Sequence, residues 1–296
     1  MKCSICPRKC NVDRTKTYGF CEASEDLKIA RASIHMWEEP CISGSNGSGT
    51  IFFSHCNMKC IFCQNYDIST KNIGYKVSVS RFAEICLELQ SLGANNINLV
   101  TPTHYVDKII EGIKFAKEKG LKIPIVYNTS GYENVDTIKK LDGIVDIYLP
   151  DLKYYSDEYA IKYSRSPKYF EYATKAIEEM YKQVGKNIFN EDGMMTKGVL
   201  VRHLMLPGLA NDSKKIIKYL YDTYKDNIYI SIMNQYTPIR KLEYDNLNRK
   251  ITKEEYENMI DYAYDLGIRN CFVQDEETQS ESFIPIFDGR GVLKGK

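Results

Sequence analysis

From residue 49 onward, short apolar runs alternate with longer amphipathic stretches. Runs of β-branched and aromatic residues predict strands, and apolar residues three or four positions apart predict helices. The strands are predicted at 49–53, 96–100, 123–127, 145–149, 198–206, 227–233 and 270–273. The helices are predicted at 82–92, 106–119, 134–141, 213–224 and 253–266, with mainly helix from 154 to 184. Six strands therefore alternate with helices before a last strand.

This alternation is typical of successive right-handed βαβ units around a parallel sheet. The sequence therefore predicts an α/β fold, a partial parallel (β/α)6 barrel of the TIM-barrel kind. Gly, Pro, Asn and Asp gather just after the predicted strands, at 101–102, 128–131, 150–151, 207–208 and 234–235. Loops at strand carboxyl ends bear the functional groups of parallel barrels, so we expect the site on these loops.

The first 45 residues follow another pattern, because they combine cysteines and charged residues with almost no apolar periodicity. Eight of the ten cysteines lie within the first 63 residues. We therefore divide the chain into a cysteine-rich module at 1–45, a barrel at 46–275 and a C-terminal tail without clear period at 276–296.

Composition narrows the classes of partner. In 296 residues, 40 Lys and Arg face 39 Asp and Glu, so the formal charge of +1 offers no basic field for nucleic acid. No apolar run approaches the roughly 20 residues that span a bilayer, and no apolar signal stretch follows Met1. We expect a soluble cytoplasmic protein without membrane association. Clustered cysteines in that reducing compartment indicate metal ligands or reactive thiols rather than disulfides.

Three cysteines follow the first predicted barrel strand with the spacing C-x3-C-x2-C, at Cys56, Cys60 and Cys63. A [4Fe–4S] cluster normally takes four cysteine ligands, so a site with three leaves one iron open to a substrate or cofactor. A closed zinc site would need a fourth protein ligand, which His35 or Cys41 could supply. The spacing alone leaves both metals open.

The motif Cys56-x3-Cys60-x-Phe62-Cys63, placed after the first strand of a βα series, resembles the radical S-adenosylmethionine (SAM) superfamily. The resemblance spans residues 49 to 273. Further motifs are similar to those of pyruvate formate-lyase activating enzyme and its stand-alone, PflX-type homologues: Cys63-Gln64-Asn65, Asn128-Thr129-Ser130-Gly131, Asp151-Leu152-Lys153, Arg202-His203 and Leu206-Pro207-Gly208. The resemblance implies an iron–sulfur oxidoreductase on a radical SAM barrel.

The resemblance also implies an activity. An electron enters the cluster, SAM is cleaved reductively, and the resulting 5′-deoxyadenosyl radical abstracts a hydrogen atom from the substrate. For the activating enzymes the target is a glycine in a partner protein, which then stores a glycyl radical. The family implies anaerobic chemistry and reduced flavodoxin or ferredoxin as the electron donor.

The implied site is assigned residue by residue. Cys56, Cys60 and Cys63 would hold the [4Fe–4S] cluster, with the amine and carboxylate of SAM on the fourth iron. The implied SAM contacts are Phe62, Thr103, His104, Asn128, Thr129, Asp151, Arg202 and Tyr236. Among them Phe62 would lie against the adenine, and Thr129 and Asp151 would lie near the SAM carboxylate and a monovalent cation.

Two positions depart from the activating-enzyme pattern. Pro102-Thr103-His104 replaces a Gly-Gly-Glu after the second strand, and Tyr236 stands where those enzymes have a histidine. These differences motivate a second hypothesis, radical modification of a small molecule or peptide. A third hypothesis, from another class, is a zinc-stabilised binding protein without turnover.

Four further cysteines lie near the N-terminus, at Cys3, Cys6, Cys10 and Cys21. Four thiolates can coordinate zinc tetrahedrally or hold an auxiliary [4Fe–4S] cluster, and structural zinc contributes about 10–16 kcal/mol to the folding of small peptides. We therefore predict a second metal site there, either zinc or iron–sulfur, which would supply the folding free energy that a module without a core lacks.

Overall fold

A computed structural model describes residues 2–274 and 285–294. Ten strands lie in these ranges: β1 (Leu27–His35), β2 (Ser48–Phe53), β3 (Tyr75–Val77), β4 (Ile97–Val100), β5 (Ile125–Thr129), β6 (Ile147–Pro150), β7 (Ile188–Phe189), β8 (Met195–Leu204), β9 (Tyr229–Met233) and β10 (Cys271–Val273).

Nine α-helices lie in the same ranges: α1 (Pro40–Ser43), α2 (Tyr66–Ser69), α3 (Val79–Ser91), α4 (Val106–Glu118), α5 (Val135–Lys139), α6 (Asp157–Ser164), α7 (Tyr169–Val184), α8 (Ala210–Tyr224) and α9 (Lys253–Asp265). Short 3-10 turns are at Thr103–Tyr105, Lys225–Asn227 and Asp245–Asn248. Within the described residues, no helix combines the length and apolar character needed to cross a membrane.

The strands form one sheet in the order β10-β9-β8-β6-β5-β4-β2-β1-β3, with β7 paired to β8. Every neighbouring pair from β2 through β10 along this path is parallel. The strands β2, β4, β5 and β6 are buried at every residue, as expected where helices cover a parallel sheet. The predicted α/β fold with a partial parallel barrel is confirmed.

The predicted helical segment 154–184 is two helices, α6 and α7. The break falls at Arg165 and Lys168, whose φ angles of 50° and 56° are left-handed. Pro167 accounts for part of the break, because a proline disfavours helical geometry in the residue before it.

Two of the strands that the sequence pattern missed, β1 and β3, follow β2 at one end of the sheet. The strand β1 pairs antiparallel with β2 from Ile29 to His35, and β3 pairs antiparallel with β1. The division into 1–45, 46–275 and 276–296 stays a prediction. The structure adds that β1, within the first of these parts, belongs to the barrel sheet, and that Gly289 and Arg290 of the tail bond to β1.

Side-chain alternation separates two apolar layers. A small cluster fills the barrel interior with Cys41, Ile42, Val126, Ile147, Leu149, Met195 and Leu200. The neighbouring residues Tyr127, Tyr148, Val199 and Val201 point outward into the larger core between sheet and helices. Because period-two alternation continues along β8, Arg202 faces the same interior side as Leu200.

The parallel register brings polar groups together above this interior cluster. Thr129 at the end of β5 pairs with Pro150 of β6, and Asp151 bridges to Arg202 of β8. The carboxyl ends of the barrel strands therefore deliver side chains from distant parts of the sequence to one place.

We expect Phe82→Ala to lower the free energy of unfolding by about 3–5 kcal/mol, because the cavity left by a buried aromatic ring does not close fully. Phe82 is fully buried on α3, its ring centroid is 5.9 Å from that of Phe53, and it lies so close to Gly112 that a Cβ there would meet its ring at 2.3 Å.

Urea denaturation of the purified chain measures this change. Leu92→Ala is the matched control, since Leu92 is 69% exposed and should change the stability by less than about 0.5 kcal/mol. Equal losses in the two variants would contradict the packing described for α3.

Candidate functional site

The cysteines Cys56, Cys60 and Cys63 lie on the loop that follows β2, and all three line a single cavity of about 430 Å³. Left-handed φ angles at His55 (75°) and Lys59 (53°) bend this loop over the strand ends. Cys56 and Cys60 are buried, and Cys63 is half-buried. The structure thus brings together the three thiols that the sequence motif selects.

Donors from the loop and from α6 contact two of the three sulfur atoms. The backbone N–H of Met58 donates to Cys56 Sγ at 3.4 Å, and the hydroxyl of Ser164 donates to Cys60 Sγ at 2.9 Å. Burial raises the pKa of the Cys60 thiol to about 12 and also raises the pKa values of Cys56 and Cys63. The thiols are therefore neutral until a bound metal cation displaces their protons.

The donor set fits an iron–sulfur cluster. Three sulfur ligands, buried yet open to one cavity and supported by N–H and O–H donors, match the way such clusters are held and tuned. In the part of the chain that the structure describes, no three His, Cys, Asp or Glu side chains are placed to hold a single metal ion. The sequence analysis named His35 and Cys41 as possible fourth ligands of a zinc ion. His35 lines the cavity and packs edge-on against Phe52, whereas Cys41 lies in the interior cluster.

A network of charges around Arg202 lines the same cavity as the cysteines. Its guanidinium donates to Asp151 Oδ1 at 3.0 Å, to Glu38 Oε2 at 3.1 Å and to Asn128 Oδ1 at 2.6 Å. The second oxygen of Asp151 accepts from Lys153 Nζ at 2.7 Å. Burial raises the pKa of Asp151, but the cations of Lys153 and Arg202 outweigh that effect and hold it below its ordinary value.

Because of this network, the cavity wall contains both positively and negatively charged side chains. Lys153 and Arg202 are cations whose side chains are only 15% and 14% exposed, and Glu38 and Asp151 are their anionic partners. A zwitterionic ligand with an ammonium and a carboxylate can be bound by such a wall through charge-assisted hydrogen bonds.

Two of the cavity acids were missed by the sequence reasoning. Glu38 and Glu39 lie between β1 and α1, where a charged pair next to a proline resembles any exposed loop. The structure buries Glu39 and points it at the cavity, and burial raises its pKa to about 7. Only the pairing of β1 with β2 places this segment over the barrel mouth.

Phe62 and Tyr236 form an aromatic part of the cavity wall. Their ring centroids lie 5.9 Å apart in an edge-to-face arrangement, and both residues are buried. The hydroxyl of Tyr236 donates to the Leu247 carbonyl at 2.6 Å, so it is held away from other acceptors. An aromatic wall of this kind suits a flat heterocycle.

The other predicted SAM contacts divide into two groups. Asn128 and Thr129 line the cavity, whereas Thr103 and His104 do not. The Thr103 hydroxyl donates to Glu133 Oε1 at 2.6 Å, and His104 Nε2 lies 2.8 Å from the Ser54 carbonyl. Burial lowers the pKa of His104 to about 3, so its ring is neutral. Thr129 also donates to Glu133 Oε1, at 2.6 Å.

Glu133 was not selected from the sequence, since nothing in Tyr132-Glu133-Asn134 marks it as buried. It is fully buried, and one carboxylate oxygen accepts from Thr103, Thr129 and Tyr127, whereas the other has no hydrogen-bond partner among the described residues. Burial raises its pKa to about 7. It ties the end of β5 to the turn that follows β4.

Hydrogen bonds join the segments that contain the four N-terminal cysteines. The Asn11 N–H donates to the Cys3 carbonyl at 2.9 Å, the Lys9 N–H donates to the Cys6 carbonyl at 3.0 Å, and the Phe20 N–H, next to Cys21, donates to Cys10 Sγ at 3.3 Å. The thiols of Cys21 and Cys10 add to the effect of burial in raising the pKa of Cys6, and those of Cys3 and Cys10 do the same for Cys21. All four are free thiols. The predicted metal at these cysteines stays a prediction, as does the monovalent cation.

Comparison with known proteins identifies the family. The sequence profile of the radical SAM superfamily matches residues 50–220, more than half of the chain. An uncharacterized protein of Methanocaldococcus jannaschii is 30% identical over 274 residues, which cover 88% of this chain and 74% of that protein.

Two solved structures of HydG share the fold. One, a maturase of the [FeFe]-hydrogenase, has a TM-score of 0.51 and 14% identity over 77% of this chain. The other, from Carboxydothermus hydrogenoformans, has a TM-score of 0.53 and 11% identity over 78% of this chain. The chain covers 52% and 55% of these two proteins, about half of HydG. At these identities the likeness shows the fold alone.

Glu133 should make the stability of the protein depend on pH. The carboxyl ionises near 4.5 in the unfolded chain and near 7 when folded, so the unfolded chain releases this proton first. The folded state therefore loses stability as the pH rises from about 4.5 to 7, by at most about 3 kcal/mol. In Glu133→Gln this loss is absent.

Urea unfolding at several pH values between 5 and 8 measures the difference between wild type and Glu133→Gln. We expect the variant to gain on the wild type with rising pH and the gain to level off above about pH 7. Glu111→Gln, whose side chain is 61% exposed on α4, is the matched control and should show no such trend. A constant difference across this range would contradict the assignment.

Proposed function

The chain belongs to the radical SAM superfamily, and on that premise we propose that it binds a [4Fe–4S] cluster through Cys56, Cys60 and Cys63 and cleaves SAM reductively for hydrogen abstraction. The observation behind the proposal is that the three thiols and the Arg202 network line one cavity. When bound, the cluster supplies the electron and SAM supplies the abstracting radical.

The remaining contributions come from the protein's own side chains. Lys153 and Arg202 offer positive charge to the carboxylate of SAM, and Glu38 and Asp151 offer acceptors to its ammonium. Phe62 and Tyr236 offer the aromatic wall to its adenine. These groups hold one another in place, so their positions are fixed before a ligand binds.

The position of the cavity in the barrel limits the access of water from one side. The apolar interior cluster lies below it, and the segment 36–39 between β1 and α1 lies along its wall. A reactive radical needs such an enclosure, because side reactions with solvent are then suppressed.

For the substrate, we propose a glycine in a partner polypeptide, as in the glycyl-radical activating enzymes. The motifs Cys63-Gln64-Asn65 and Asp151-Leu152-Lys153 support this class by resemblance. The cavity wall also includes Met36 and Trp37, which are 42% and 62% exposed. Exposed apolar side chains at a cavity rim offer a surface on which a polypeptide can pack.

We expect the chain, reconstituted with iron and sulfide without oxygen, to convert SAM and a reductant to 5′-deoxyadenosine and methionine. Cys60→Ala should abolish this reaction, because the variant lacks one of the three cluster ligands. Chromatography of the products measures SAM cleavage. Iron analysis measures how much of the cluster at Cys56, Cys60 and Cys63, called the radical cluster below, each variant binds.

Cys86→Ala is the matched control. Cys86 is also a fully buried thiol, but it lies in the α3 core, so its loss should leave SAM cleavage unchanged. A cluster-loaded wild-type sample that forms no 5′-deoxyadenosine would refute the proposed activity.

The substrate class is tested with a glycyl-radical enzyme of the pyruvate formate-lyase type whose glycine is deuterated at Cα. We expect an organic radical on that protein by electron paramagnetic resonance (EPR) and transfer of deuterium into 5′-deoxyadenosine. SAM cleavage with neither result, together with a modified small molecule or peptide, would instead support the second hypothesis.

A further inference from the structure

The N-terminal segment has little apolar packing to hold its shape. Among the described residues 2–24, the buried hydrophobic side chains are Cys6, Cys21 and Ala23. Arg14 is buried with them and donates to the carbonyls of Ala23, Ser24 and His104. A segment with such a small core needs another source of order, and two of its three buried apolar residues are cysteines.

Tight backbone turns and an N–H donor lie next to these thiols. Left-handed φ angles occur at three residues that directly adjoin Cys10 or Cys21. They are 42° at Lys9, 57° at Asn11 and 60° at Glu22. The Phe20 N–H donates to Cys10 Sγ at 3.3 Å. N–H groups directed at sulfur stabilise thiolate ligands and tune the metal that they bind.

Gly19 leaves room for one of the four sulfur atoms. A Cβ at this position would meet Cys10 Sγ at 2.8 Å and Cys10 Cβ at 2.9 Å. Any larger residue would therefore displace the Cys10 side chain from its present position.

Arg8, between Cys6 and Cys10, connects this group of thiols to the radical site. Its Nε donates to the carbonyl of Asn57, the residue after Cys56, at 2.8 Å. Its Nη2 donates to the Ser164 carbonyl at 3.3 Å, and the Ser164 hydroxyl is the donor to Cys60 Sγ. One side chain thus contacts both segments that support Cys56 and Cys60.

The guanidinium of Arg8 also stacks on Phe20, 3.7 Å from the ring centroid. Because Phe20 lies next to Cys21, this contact ties Arg8 to the N-terminal group of thiols as well.

We propose that Cys3, Cys6, Cys10 and Cys21 bind a thiolate-coordinated metal centre, and that this centre positions Arg8 on the Cys56 loop and on the end of α6. The shared chemistry of the site is four sulfur ligands, which suit zinc or an iron–sulfur cluster. A single zinc ion requires the described thiols to draw closer together, whereas a four-iron cluster takes thiolates that are farther apart.

The coupling part of the inference rests on the proposed function, because it takes Cys56, Cys60 and Cys63 as the ligands of the radical cluster. The metal part does not. Metal analysis of Cys60→Ala separates the two, since that chain should keep its N-terminal metal after the radical cluster is lost. A wild type without SAM cleavage whose Cys60→Ala form still binds metal would overturn the proposed function and leave the N-terminal site standing.

The first experiment counts metal in the full chain, purified and reconstituted without oxygen. We expect wild type to exceed Cys10→Ser by about one zinc or about four iron atoms per chain, with iron distinguished by Mössbauer spectroscopy. Gly19→Ala, which keeps all four thiols and crowds one, should also lower the occupancy. Equal zinc and iron contents in wild type, Cys10→Ser and Gly19→Ala would overturn the N-terminal site.

The second experiment tests the positioning role of Arg8. Arg8→Lys keeps the charge but loses the forked set of donors. We expect N-terminal metal to be retained, the EPR spectrum of the radical cluster to change, and SAM cleavage to fall by about tenfold, as is usual when support around metal ligands is lost. Arg249→Lys is the matched control, because Arg249 pairs with Glu255 of α9 and has no contact with the cysteine segments named above. An Arg8→Lys cluster spectrum identical to that of wild type would overturn the coupling.

Discussion

A guanidinium inside a barrel must be neutralised, and the structure of the cavity follows from how Arg202 meets this requirement. An unpaired buried charge would cost several kcal/mol, so acceptors must reach it from every side. They come from β5, from the residue after β6 and from the segment that joins β1 to α1, as Asn128, Asp151 and Glu38. The same network fixes Lys153 through Asp151. Electrostatic neutrality thereby links four separate parts of the chain around one cavity.

The sequence predicts the parallel strands well, because strands buried on both faces are short continuous apolar runs. The strand β1 is not predicted in this way, because Leu27–His35 mixes alanines with Lys28 and Arg31 and packs at the side of the sheet. The two-residue strand β7 and the four-residue helices α1 and α2 are too short to show a period. Their positions depend on tertiary contacts that local pattern does not contain.

The residues of the candidate site also divide into those that the sequence predicts and those that depend on long-range packing. The cysteine spacing and the turns after the strands predict the cavity-lining residues Cys56, Asn128, Asp151 and Arg202, because strand carboxyl ends converge in a parallel barrel. The sequence does not predict Glu38, Glu39 or Glu133, since a carboxylate buried by long-range packing resembles any surface acid. Thr103 follows its strand as expected, but its hydroxyl turns to Glu133 and away from the cavity.

The antiparallel strand β1 has a consequence for any shortened form of the protein. It covers the outer backbone groups of β2, the first parallel strand of the barrel. A fragment limited to residues 50–220 would lack most of the strands on both flanks and would present unpaired N–H and C=O groups to other molecules. Such a fragment should self-associate through these strand edges, so the flanking strands are needed to keep the barrel sheet from pairing with other molecules.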